Sequence, residues 1–102
     1  MARHTEAIER VAEAILESPG DAETGLRAQV AAYAGGNEDA VVPDELRAYV
    51  DKVAKNAYRV VDADIDRLRE AGYSDDAIFE LTLAAALGAA RSRLDAGLSA
   101  MH

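Results

Sequence analysis

A chain of 102 residues is one domain's worth of sequence, with room for a real core. Its formal charge of −8 repels nucleic-acid phosphates and anionic lipid, and its 11 Lys and Arg residues are interspersed with acids rather than gathered into a patch. With no cysteine, disulfides and thiolate chemistry are excluded.

The hydrophobic fraction of 50% overstates the core, because 23 of those residues are alanine. Alanine buries little area but lets helix backbones approach closely, so subunit contacts are expected to supply part of the stability. No secretory leader is visible: His4, Glu6, Glu9 and Arg10 stand where its apolar run would fall. A cytoplasmic location is therefore expected.

The first periodic segment spans residues 4–18. Ile8, Val11, Ala12, Ile15 and Leu16 repeat at three and four, with Glu6, Glu9, Arg10, Glu13 and Glu17 on the other side. Pro19-Gly20 ends this amphipathic helix, whose acidic polar face is wrong for a membrane surface. A weaker helix is expected over 22–34, with Leu26, Val30 and Tyr33 inward and Gly35-Gly36-Asn37 as its stop. Residues 35–42 form a loop; its glycines lack the preceding strand and the Lys-Ser/Thr of a nucleotide loop.

Pro43 opens a third helix over 44–59, with Asp44 and Glu45 suited to the dipole of its first turn. Leu46, Tyr49, Val50, Val53, Ala54 and Ala57 give the cleanest periodicity in the chain. Val60-Val61 before a capping Asp62 marks a bend. A short helix over 63–71 follows, with Ile65 and Leu68 inward and Gly72 in the position just past its end. The last helix, 75–98, is capped by Ser74, with Tyr73 and Ile78 placed for a hydrophobic staple. Between Ala77 and Ala90 only Glu80 and Thr82 are polar, and a helix apolar nearly all round must be covered nearly all round. Its bulky side, with Phe79, Leu83, Leu87, Ala90 and Leu94, offers the most area and is expected to face the chain's own helices. Its far side, with Ile78, Leu81, Ala85 and Ala89 and with Ala84 and Gly88 beside them, is apolar but made mostly of small residues and is then expected at a subunit interface. The fold class is all-α: one domain, 1–102, built as a small bundle of five helices.

Catalytic constellations are sparse. His4 and His102 sit at opposite ends, leaving no material for a histidine metal site or a Ser-His pair. Asp62, Asp64 and Asp66 resemble the opening of a calcium loop, but Arg67 replaces its glycine and Tyr73 its closing glutamate. No metal or cofactor is expected.

The stretch Tyr58-Arg-Val-Val-Asp-Ala-Asp-Ile-Asp-Arg-Leu-Arg-Glu-Ala-Gly-Tyr-Ser-Asp-Asp-Ala-Ile-Phe-Glu-Leu resembles the alkylhydroperoxidase AhpD-like and carboxymuconolactone decarboxylase-like family. Ala84 to Gly88 and Arg91 to Leu98 continue the likeness, which covers residues 43–98 and leaves the first 42 with little of it. The resemblance implies an AhpD-like all-α fold assembled into ring-like homo-oligomers. It also implies a Cys-x-x-Cys-x-x-x-His motif ending eight residues before the glycine, with an upstream glutamate as proton relay. Counted back from Gly72, those positions hold Ala57, Val60 and Asp64, and the glutamate position holds Glu45. Both thiols and the imidazole are missing, so disulfide-cycling peroxidase chemistry has no nucleophile. What is expected instead is a non-redox, non-catalytic oligomeric binding or assembly module. The alternative is an acid–base enzyme acting on a small organic substrate through Glu45, Asp64 and Tyr58, in a cleft near the bend lined by Tyr49, Tyr58, Val60 and Asp64. Either way the partners are further copies of the chain and a small organic ligand, with no nucleic acid and no membrane.

Overall fold

The computed structural model describes the backbone of residues 2–101 and the side chains of residues 6–101. His102 and the His4 side chain lie outside the described residues. The chain is all-α: α1 (Ala2–Glu17), α2 (Thr24–Ala34), α3 (Asp44–Asn56), a 3-10 turn (Ala57–Arg59), α4 (Asp62–Glu70) and α5 (Asp75–Ala100). Among the described residues there is no strand, and no helix is long and apolar enough to cross a membrane.

Local chemistry sets most of the boundaries. Ser74 caps α5, accepting from the Ala77 N–H at 3.0 Å. α4 ends in a Schellman motif: Gly72 at φ +103° lets Tyr73 N–H reach the Leu68 carbonyl and its own N–H reach that of Arg69. Gly36, at φ +100°, closes α2 in the same way through Ala32 and Tyr33. Two expectations shift. The regular part of α3 stops at Asn56 and tightens into the 3-10 turn before the β-branched Val60-Val61. The capping aspartate of α4 is Asp64 rather than Asp62: from the third helical position its carboxylate reaches back to the Val61 N–H at 3.0 Å.

α5 is the axis of the bundle. At 26 residues it is about 39 Å long, which accounts for most of the molecule's 46 Å length. Its most extensive contact is with α2, followed by that with α3; α1 and α4 flank it. Leu46, Leu68, Leu81, Val30 and Val50 are the largest fully buried side chains. Arg27 on α2 is buried as well, against the end of α1 and the loop that follows it, where the sequence suggested only Leu26, Val30 and Tyr33.

The orientation of α5 is opposite to the expected one. Ala77, Ile78, Leu81, Ala84, Ala85, Gly88 and Ala89 are buried against the chain's own helices, whereas Phe79, Leu83 and Leu94 are exposed. The reason is close approach. α2 presents Ala28, Ala31 and Ala32, and its backbone comes so near that a Cβ on Gly88 would lie 2.0 Å from the Ala31 carbonyl oxygen. Small residues on both helices let backbone pack against backbone, and a leucine face would hold the pair apart. α1 is likewise less covered than its periodicity suggests: Ala12 is buried, Ile8, Ile15 and Leu16 are half-buried, and Val11 is exposed.

Candidate functional site

The candidate residues all lie along α3 and the bend that follows it. Asp64, at the start of α4, is the buried one. Its carboxylate accepts from Lys52 Nζ at 2.8 and 3.0 Å and from the Val61 N–H at 3.0 Å, with Arg67 at 3.5 Å. The Lys52 hydrogen bond, followed by the Val61 N–H, holds Asp64 below the usual carboxylate value despite the opposing effect of burial. It is a lasting anion, tied to Lys52, to Arg67 and to one helix end.

That pairing fixes a pH dependence. Because the folded pKa is depressed, the carboxylate adds stability above its unfolded value, and this contribution is lost as pH falls through the folded value. Asp64→Asn is expected to melt below the wild type at neutral pH. The gap in thermal midpoint should narrow progressively below about pH 4. A gap that stays constant down to acid pH would show that the ion pair is not its source.

Glu45 is exposed in the first turn of α3 and accepts a 2.9 Å hydrogen bond from the Tyr73 hydroxyl. Burial, reinforced by that carboxylate, pushes the Tyr73 hydroxyl up to about 12, so it stays protonated as a donor. Tyr58, on the 3-10 turn, is 81% exposed, and its ring lies 5.9 Å from the Arg59 guanidinium carbon. The three residues do not converge. Lys52, which holds Asp64, lies about 10 Å further along α3 than Glu45, and Tyr58 stands beyond the end of that helix.

Of the residues expected around a cleft, Tyr49 does border a cavity, but one that Tyr58, Val60 and Asp64 do not line. This space, of about 310 Å³, lies between α3, α4 and α5 and is walled by Tyr49, Ile65, Ile78, Phe79 and Thr82. Thr82 donates its hydroxyl proton to the Ile78 carbonyl at 2.6 Å, so Tyr49 is the donor in the 2.7 Å contact between the two hydroxyls. A roomier cavity, of about 620 Å³, sits where the α1–α2 loop meets the start of α5; Asp21, Glu23, Tyr73 and Ser74 give it a polar wall, and Leu26 and Pro43 an apolar one. Among the described residues no group of three or more histidine, aspartate and glutamate side chains is placed to hold a metal ion.

Lys52 and Tyr73 are the members of these arrangements that sequence reading missed. Nothing in a helical lysine points to an acid 12 residues on. Tyr73 reads as a staple residue because its hydroxyl partner lies 28 residues back. Comparison of the chain with protein-family models, curated proteins and solved structures finds no match.

Proposed function

We propose that the chain is a non-redox, non-catalytic member of the AhpD-like and carboxymuconolactone decarboxylase-like family, acting as an oligomeric binding or assembly module. One observation carries this reading. The positions where the resemblance calls for two thiols and an imidazole hold an exposed Ala57, a half-buried Val60 and an Asp64 neutralised by Lys52. None of them can attack a peroxide, and Asp64 has no free proton to relay. The acid–base alternative on Glu45, Asp64 and Tyr58 is weaker, because each side chain is committed to a different neighbourhood. A small organic ligand finds room at the junction of the α1–α2 loop with α5.

The reading predicts no hydroperoxide turnover with any thiol reductant, measured against a mock preparation. Thiol-dependent turnover by the pure protein would overturn it.

A further inference from the structure

α5 is apolar on two opposite sides, and the chain's own helices cover only one. Phe79, Leu83, Ala86, Ala90 and Leu94 run up the other at spacings of four, three, four and four, the rhythm of a helix–helix seam. Phe79 is 63% exposed and Leu83 and Leu94 are also open to solvent, so this is a continuous stripe rather than scattered residues. Alongside its later half, α1 adds Ile8 and Val11 and leaves an apolar groove of about 280 Å³ between Val11, Leu87, Ala90 and Leu94. The accessible surface is 6708 Å² for 10.8 kDa. A folded monomer of that mass exposes about 5,500 Å². The excess exceeds the roughly 800 Å² that each partner buries in an interface of standard size.

We infer that a second copy of this chain covers the stripe, α5 packing antiparallel on α5 about a local twofold axis. This deepens the assembly half of the function proposed above and rests on it. The side chains specify the register. With Phe79 over the partner's Ala90 and Leu83 over its Ala86, these two large residues each meet a small one, and each Phe79 ring enters the apolar groove of the other copy. Charge agrees with the direction. Exposed Asp76 flanks the start of α5 and exposed Arg93 its later half, whereas Asp75 and Arg91 are already paired with Arg69 and Glu9 of their own chain. The antiparallel pairing brings acids alongside bases and opposes the two helix dipoles; a parallel pairing would set like against like.

The full chain in size-exclusion chromatography with light scattering should run at twice the 10.8 kDa chain mass. Phe79→Glu should weaken dimerisation by about 100-fold or more while leaving the helical circular dichroism intact, because the residue is exposed in the single chain. Val41→Glu, at an exposed apolar site off this face, should remain dimeric. Phe79→Cys combined with Ala90→Cys should oxidise to an interchain disulfide, and Phe79→Cys alone should not. A dimer that survives Phe79→Glu, or a cross-link from Phe79→Cys alone, would overturn this face or register and leave the module reading standing. A monomeric wild type would overturn both.

Discussion

Ala85→Arg is expected to unfold the chain. Ala85 is 0% exposed and sits on the side of α5 pressed against the rest of the bundle, with Ala84 and Leu81 buried beside it. Arginine there forces a long, charged side chain into a site with no exposed surface. Overpacking costs about 1–3 kcal/mol, and an unpaired buried charge costs several more. A domain of this size has about 5–15 kcal/mol in total, so the sum consumes most or all of it. Far-UV circular dichroism and urea titration would show the helical signal lost or the midpoint moved sharply down. A well-folded Ala85→Arg protein that has merely changed its oligomeric state would mean that the small-residue side of α5 is a subunit surface. The contrast with Phe79→Glu, an equally drastic change six residues earlier on the exposed side of α5 that should leave the fold intact, makes the orientation of α5 testable in a single pair of proteins.

Why the sequence told the position of α5 and not its orientation follows from the residues. Ser74, Gly72, Gly36 and the run of acids after Ser74 act on their own helix ends, so local chemistry marks the boundaries. Orientation is decided by the neighbour. Periodicity separates an apolar face from a polar one, and α5 has apolar residues on both sides. Counting area favours Phe79, Leu83 and Leu94. The packing instead follows α2, whose Ala31 backbone touches Gly88 so closely that no Cβ fits between them. Many close backbone contacts outweigh a few large side chains held further apart. α3 was legible because its apolar stripe is single: Leu46, Tyr49, Val50 and Ala54 are buried as read, and only Ala57, beyond the last regular turn, swings out to solvent. The candidate site was legible as a set of positions and not as a geometry. Glu45 and Asp64 were named by spacing from Gly72 and Tyr58 by its place at the bend, whereas Lys52 and Tyr73, the side chains that hydrogen-bond Asp64 and Glu45, come from elsewhere in the chain.

The first 42 residues, which carry little of the family likeness, prove central to the fold. α2 is the main cover of α5, and the loop that carries α1 into it is fastened on both sides. Its N–H groups are held by Glu80 of α5, which accepts from Asp21 at 3.1 Å and from Ala22 at 2.7 Å. The Ser74 hydroxyl donates to Asp21 at 2.9 Å while it caps α5. Its carbonyls are held by Arg27. So the two polar residues that the sequence shows as an interruption of α5 and an unremarked base on α2 together hold α1 and α2 to the central helix.

Arg27→Met should therefore cost more than any surface charge change. The guanidinium is 2% exposed and donates to three main-chain oxygens: Ala22 at 3.0 Å, Ile15 at 3.0 Å and Ser18 at 2.6 Å. Ile15 is in the last turn of α1, where carbonyls have no partner within the helix and where the dipole favours a cation. Ser18 covers the neighbouring Ala14 carbonyl with its own hydroxyl, so Arg27 completes the cap. No carboxylate partners Arg27 among the described residues; its charge is spread over carbonyl dipoles. Methionine keeps most of the stem's packing and removes every donor, so what is measured is the loss of hydrogen bonds. Two of the three carbonyls are only part-buried, and water recovers some of the loss. The net cost is then about 3 kcal/mol, equivalent to roughly 15 °C in thermal midpoint for a domain of this length. Arg27→Lys should rescue only a fraction, since one ammonium cannot span the three oxygens that the planar fork reaches. Hydrogen exchange would locate the damage, with the amides of the last turn of α1 and of Asp21 and Ala22 losing protection before those of α3. Midpoints within a degree or two of the wild type for Arg27→Met would show that the loop is held by Glu80 and Ser74 alone.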